Sequence, residues 1–169
     1  MSGSVSGLGV KHRIRARDLA VQAAVLALHH APQVHYTQMA TRWEGIDKNM
    51  KAFRQSYPKH CDCSSFATWC LWNGLDHYGV RDTVNDHGWH SGYTGSMVAN
   101  GRKVADRGSV LRGDLVLYGD PFGPTGHVAL VAGRARDGQL MVISHGSEGG
   151  PYYLAYDYRR DIHSIRRYI

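Results

Sequence analysis

The chain has 169 residues, the size of one ordinary domain, and its 43% hydrophobic content is enough to build a packed core. Lys and Arg number 20 against 14 Asp and Glu, and the net charge of +6 suits a polyanion, a nucleic acid as readily as a bacterial wall, though an ordinary solvated surface carries as much. No apolar run is long enough to span a bilayer, the start Met1–Gly7 lacks the charged-then-apolar pattern of a secretory signal, and an odd count of three cysteines argues against a disulfide framework and for synthesis in a reducing cytoplasm.

Residues 1–9 read as a flexible lead-in, and residues 10–169 as a single domain. A first helix is expected over about residues 12–31, with Ile14, Val21, Val25 and Leu28 near helical spacing and Pro32 ending it. Thr41-Arg42-Trp43-Glu44 has the capping-box pattern, so a polar helix should run from there, or from Asp47, to Tyr57 before Pro58, with Trp43 packed on the core. Next, Phe66, Ala67, Cys70 and Leu71 mark one apolar helix face, Asp62, Ser64 and Ser65 are residue types that cap a helix start, and Asn73-Gly74 is a stop signal. Cys63 therefore falls at the first turn, where unpaired N–H groups and the positive end of the macrodipole favour a thiolate. Cys70 reads as a small buried hydrophobe, and Cys61 sits before the helix rather than at its start.

Between residues 79 and 108 the pattern dissolves into glycine-rich loops around a short helix near residues 96–99. This stretch is a candidate groove wall with Trp89 and Tyr93 as substrate contacts; the alternative is a surface excursion closed by aromatic packing. Five short strands follow at about residues 114–118, 127–132, 140–145, 152–156 and 163–168, forming a small twisted antiparallel sheet or half-barrel. Leading helices plus this sheet give an α+β domain.

His127 opens one apolar strand and His145 closes the next, so a hairpin-like pairing brings both to one end of the sheet. A helix-borne cysteine, a base and a third polar group are what a cysteine hydrolase needs. The same side chains could in principle bind zinc through Cys61, Cys63 and Cys70 with His60, His127 or His145, but the paired Cys-x-x-Cys knuckles are missing and no metal or cofactor is expected. His87 and His90 form at most a separate weak site. A purely structural cysteine, or a non-catalytic module binding walls or nucleic acid, leaves the placement of Cys63 and the histidines without a purpose.

Asp62-Cys63-Ser64-Ser65, then Gly113-Asp114-Leu115-Val116-Leu117-Tyr118, then His127-Val128-Ala129-Leu130-Val131, then a strand ending in His145, resembles the NlpC/P60 family of papain-like cell-wall cysteine peptidases from about Tyr36 onward, most of all the peptidase domains of bacteriophage endolysins. The resemblance implies a papain-like fold with the nucleophile helix packed on the sheet. It implies Cys63 as nucleophile, His127 as general base, His145 as the residue orienting the imidazole, and Tyr36 near the oxyanion site with Asp62 and Ser64 in support. It further implies a monomer that cleaves a stem-peptide amide of bacterial peptidoglycan, with no nucleic acid partner and no stable membrane insertion. Such an enzyme is made in the host cytoplasm and acts on the wall after release. An N-acetylmuramoyl-L-alanine amidase and an acyl or peptidyl transferase share the thioester chemistry. No wall-binding segment is expected after the sheet, whether the chain is free-standing or part of a longer lysin.

Overall fold

The computed structural model describes residues 4–86 and 88–169. Helix α1 spans Val10–His29, and the short strands β1 (His35–Tyr36) and β2 (His60–Cys61) flank the one-turn helix α2 (Glu44–Asp47). Helix α3 is Cys63–Leu75, and α4 is Thr94–Asn100. Strands β3 (Arg102–Lys103), β4 (Leu115–Tyr118), β5 (His127–Arg134), β6 (Leu140–Ser144), β7 (Tyr152–Ala155) and β8 (Ile162–Arg167) complete the chain. The five expected strands are all present, in an antiparallel sheet of order β3-β8-β4-β5-β6-β7 whose extra edge strand is β3. The α+β expectation holds.

Strand alternation divides the sheet into two faces. Leu115, Leu117, Val128, Leu130 and Ile143 pack with α1 and α3 in the main core, whereas Val116, Tyr118, Ala129, Val131 and Val142 build a second cluster on the other face. Helix α3 is apolar nearly all round, which is the mark of a helix enclosed by its neighbours rather than lying on a surface.

Four expectations need correction. The buried face of α1 keeps the expected Val21, with Val25 and Leu28 packed against the core, but it is otherwise built of alanine, Ala16, Ala20, Ala23, Ala24 and Ala27, while Ile14 is exposed. Small side chains let α1 and α3 approach closely: a Cβ on Gly74 would lie 2.3 Å from the Ala16 carbonyl oxygen. Gly74 is thus a contact residue and not a stop, and α3 continues through Leu75. Gly74→Ala is expected to lower stability by about 1–3 kcal/mol despite its better helix propensity, seen as a reduced urea midpoint. The polar helix expected up to Tyr57 is also broken. A 3₁₀ turn at Ala40–Trp43 leads directly into α2, left-handed Asn49 (φ 51°) separates α2 from a 3₁₀ turn at Ala52–Arg54, and left-handed Gln55 (φ 56°) ends that turn. Trp43 is buried as expected. Finally, within the expected lead-in Val5–Gly7 form a 3₁₀ turn and Val5 and Leu8 pack on the core, whereas residues 1–3 lie outside the described residues, as does His87 of the suggested weak pair. No helix among the described residues is long and apolar enough to cross a membrane.

Candidate active site

Asp62 caps α3 and Cys63 is the first helical residue. Asp62 Oδ1 accepts the Ser65 N–H at 2.8 Å and the Ser64 hydroxyl at 3.0 Å, and Ser65 Oγ in return accepts the Asp62 N–H at 2.9 Å. Arg42, which the sequence reading passed over, locks this start from outside. Its Nη1 donates to Asp62 Oδ2 at 2.7 Å and to Ser64 Oγ at 3.0 Å, and its Nη2 donates to the Gly92 carbonyl at 3.0 Å. Asp62 and Ser64 therefore support the helix start. The same guanidinium ties the loop before α4 to it, with Tyr93 about half exposed at the rim and Trp89 partly buried against the main core.

The Cys63 sulfur faces three backbone N–H groups, its own and those of Ser64 and Val128. Val128 follows His127, so the opening of β5 lies against the thiol. Tyr36 reaches the same place through the parallel β1–β2 pair, in which it sits opposite Cys61, and Thr37 N–H donates to the Cys61 carbonyl at 3.0 Å. Burial, and next the closeness of Cys63, raise the Tyr36 phenol above its usual range, so the hydroxyl stays protonated and able to donate. Glu148 pins this segment from the loop after β6, accepting the Tyr36 N–H at 2.8 Å and meeting His35 Nδ1 at 2.6 Å.

His127 Nε2 and Ser144 Oγ share a hydrogen bond at 2.6 Å, and Ser144 Oγ in turn lies 3.5 Å from the Tyr158 hydroxyl. The ring's side-chain partner in this structure is Ser144, where the resemblance implied His145. The cause is a register shift. Near the turn, Gly133 pairs Met141 and Arg134 pairs Leu140, but past the bulge between Val131 and Gly133 the pairing becomes Val131 with Val142 and Leu130 with Ile143. Continued without the bulge, the first register would set His145 opposite Ala129, on the face of His127. The one-residue slip turns His145 to the α3 face and puts Ser144 opposite Ala129 instead. Gly133, with φ 137°, takes the backbone conformation the bulge requires.

His145 is fully buried, its ring 5.6 Å from that of Tyr36 and 6.1 Å from that of Phe66, and among the described residues neither ring nitrogen has a hydrogen-bond partner. The His35 carbonyl is close enough to favour a protonated ring, but burial outweighs it and pushes the pKa of His145 down. Ser144→Ala is expected to lower kcat about 10-fold with KM little changed and the fold retained, as a positioning role requires. His145→Asn is expected to act mainly on stability.

Burial pushes the Cys63 thiol up to about 12, with the Asp62 charge adding to it and the three N–H groups offsetting only part. It pushes His127 down to about 4, helped by the positive field of Arg159. Burial thus favours a neutral thiol and a neutral imidazole, against the thiolate that the helix terminus favours, because desolvation opposes the macrodipole. The arrangement suits general-base attack, in which the proton moves as the sulfur–carbon bond forms.

All three cysteines are free and buried. Among the described residues no three His, Cys, Asp or Glu side chains are grouped so as to hold a metal ion. A pocket of about 240 Å³ opens beside His127, Ser144, Tyr158 and Arg159. A larger cavity of about 610 Å³ lies away from this chemistry, between α1 and the 3₁₀ turn at Ala52–Arg54.

Residues 52–147, which include Cys63, His127, Ser144 and His145, match the CHAP domain family. Two solved structures from Trichomonas vaginalis are similar to the chain, NlpC2 and NlpC1, each with a TM-score of 0.52 and 22% identity over 88% of this chain. At that identity they show the fold, and the chain spans less than half their length, 46% and 44%. No curated protein sequence matches.

Proposed function

The chain belongs to the CHAP domain family of cell-wall hydrolases, which are amidases or peptidases, and from that premise we propose that it cleaves an amide bond in the stem peptide of bacterial peptidoglycan through Cys63 and His127. The observation that carries this reading is the seat of Cys63: the first residue of a capped, enclosed helix, its sulfur held against the N–H that follows His127.

In the proposed cycle His127 takes the thiol proton as the sulfur attacks the carbonyl carbon. The helix-start N–H groups of Cys63 and Ser64, with the Tyr36 hydroxyl, face the developing oxyanion. Protonated His127 gives its proton to the leaving amine, and water, activated by the same imidazole, resolves the thioester. Ser144 holds the ring through Nε2 in both half-reactions. An endolysin-type role, with synthesis in the host cytoplasm and action after release, is supported by the motif order and by three unbridged cysteines.

The neutral resting pair has a pH signature. Alkylation of Cys63 by iodoacetamide, mapped by mass spectrometry, is expected to rise about tenfold per pH unit from pH 6 to 9 without a plateau, because the thiolate is scarce below about 12. Hydrolysis needs His127 unprotonated, so its acid limb should lie near pH 4 rather than 6.5. A plateau of alkylation above pH 5 would instead reveal a preformed thiolate–imidazolium pair.

Digestion of purified peptidoglycan, following released amino groups and fragment masses with and without a chelator, tests the function. New amines that persist in chelator and vanish in Cys63→Ala support it. Turnover by Cys63→Ala, or no digestion by the wild type, overturns it.

A further inference from the structure

We propose that the pocket beyond His127 is a subsite for the leaving-group half of the substrate and that it takes a single amino-acid residue bearing a free carboxylate, with Arg159 as its recognition group. The proposal rests on the hydrolase reading above and adds which side of the scissile bond is recognised, and by what chemistry.

Position comes first. The pocket lies on the sheet face opposite α3, where His127, Ser144, Tyr152 and Leu154 share one side of β5, β6 and β7. His127 itself lines the pocket, so a group bound there lies against the imidazole. The group that protonates the leaving nitrogen must touch it, so the fragment carrying that nitrogen is the one whose next atoms pass the ring and enter this space. At about 240 Å³ the pocket is smaller than the roughly 300–1,000 Å³ of sites that enclose drug-sized ligands, and it fits one residue rather than a peptide.

Chemistry comes second. The lining contains an arginine and the hydroxyls of Ser147, Tyr152 and Tyr158, and no acidic residue. Asp161 holds the Arg159 guanidinium from the side through Nε at 2.9 Å and through Nη2, which also donates to the Thr125 carbonyl at 3.3 Å. Among the described residues Nη1 has no partner, so a planar donor is fixed in place with one end unused. Asp161 does not cancel the positive field inside: at the His127 ring the effect of Arg159 exceeds that of Asp161. A carboxylate is the planar anion that a fork of donors beside hydroxyls recognises best.

The test reads binding in the turnover-blocked Cys63→Ala protein. Alanyl-alanine in each chirality and the corresponding C-terminal amides are titrated while the His127 ring signals are followed by NMR. The expected result is at least tenfold tighter binding of one free acid than of its amide, with the ratio falling to about one in Arg159→Gln and partly restored in Arg159→Lys. Equal binding of acid and amide, no binding of either, or a preference that survives Arg159→Gln in a protein of unchanged melting temperature would overturn the proposal. Digestion by the wild type stands apart: its absence would refute the hydrolase reading, whereas loss of the acid preference alone refutes only the subsite.

Discussion

Cys63→Ala is expected to lower peptidoglycan hydrolysis by at least about 10³-fold while shifting the melting temperature by no more than about 4 °C. The chemical loss is large because no other cysteine can substitute. Cys61 and Cys70 are 1% and 0% exposed and burial raises both thiols well above their usual range. The structural loss is small because alanine is a good helix former and only one sulfur atom is removed, about 1 kcal/mol. Cys70→Ala should show the opposite balance, reduced stability with retained turnover, since Cys70 packs in the main core.

Asp62→Ala is expected to destabilise the fold by about 3 kcal/mol and to reduce turnover further than the stability loss explains. One carboxylate, 7% exposed, caps the helix through Ser65 N–H, holds the Ser64 hydroxyl and pairs with Arg42. Its removal leaves a guanidinium that is only 19% exposed without its charge partner, although that exposure tempers the cost. It also frees the restraint on the loop that Arg42 holds through Gly92, so the thiol and the groove rim lose their common anchor. Asp62→Asn keeps an acceptor for the cap and loses the charge, and should fall between wild type and alanine in urea unfolding.

The helix start that carries Cys63 was legible in the sequence because its determinants are local. A cap residue, a cysteine and an apolar helix follow one another directly, and the structure puts Cys63 at the helix start with Asp62 as its cap. The strands were legible for the same reason, each a short apolar run between turn residues. What escaped depends on long-range register. His145 looks like the partner of His127 when two strands are imagined in an unbroken pairing, and one extra residue before Gly133 changes its face and brings in Ser144. A glycine inside the apolar run from His127 was the available signal, since glycine within a strand often marks a bulge. Arg42 and Arg159 escaped because they reach the site from segments 20 residues before Asp62 and 15 after Ser144, the first read only as a helix start and the second carrying no motif. The alanine face of α1 escaped because a search for large apolar residues at helical spacing overlooks a face built for close approach.

In the proposed cycle an acyl group passes through Cys63, and acid-quenched intact-protein mass spectrometry of the protein mixed with peptidoglycan fragments observes that step. The predicted result is a transient adduct with the mass of the acyl half of the substrate, mapped to Cys63, labile to hydroxylamine and accumulating when deacylation is slowed in Ser144→Ala. Rapid turnover with the adduct on another residue, or cleavage that continues in Cys63→Ala, would contradict it.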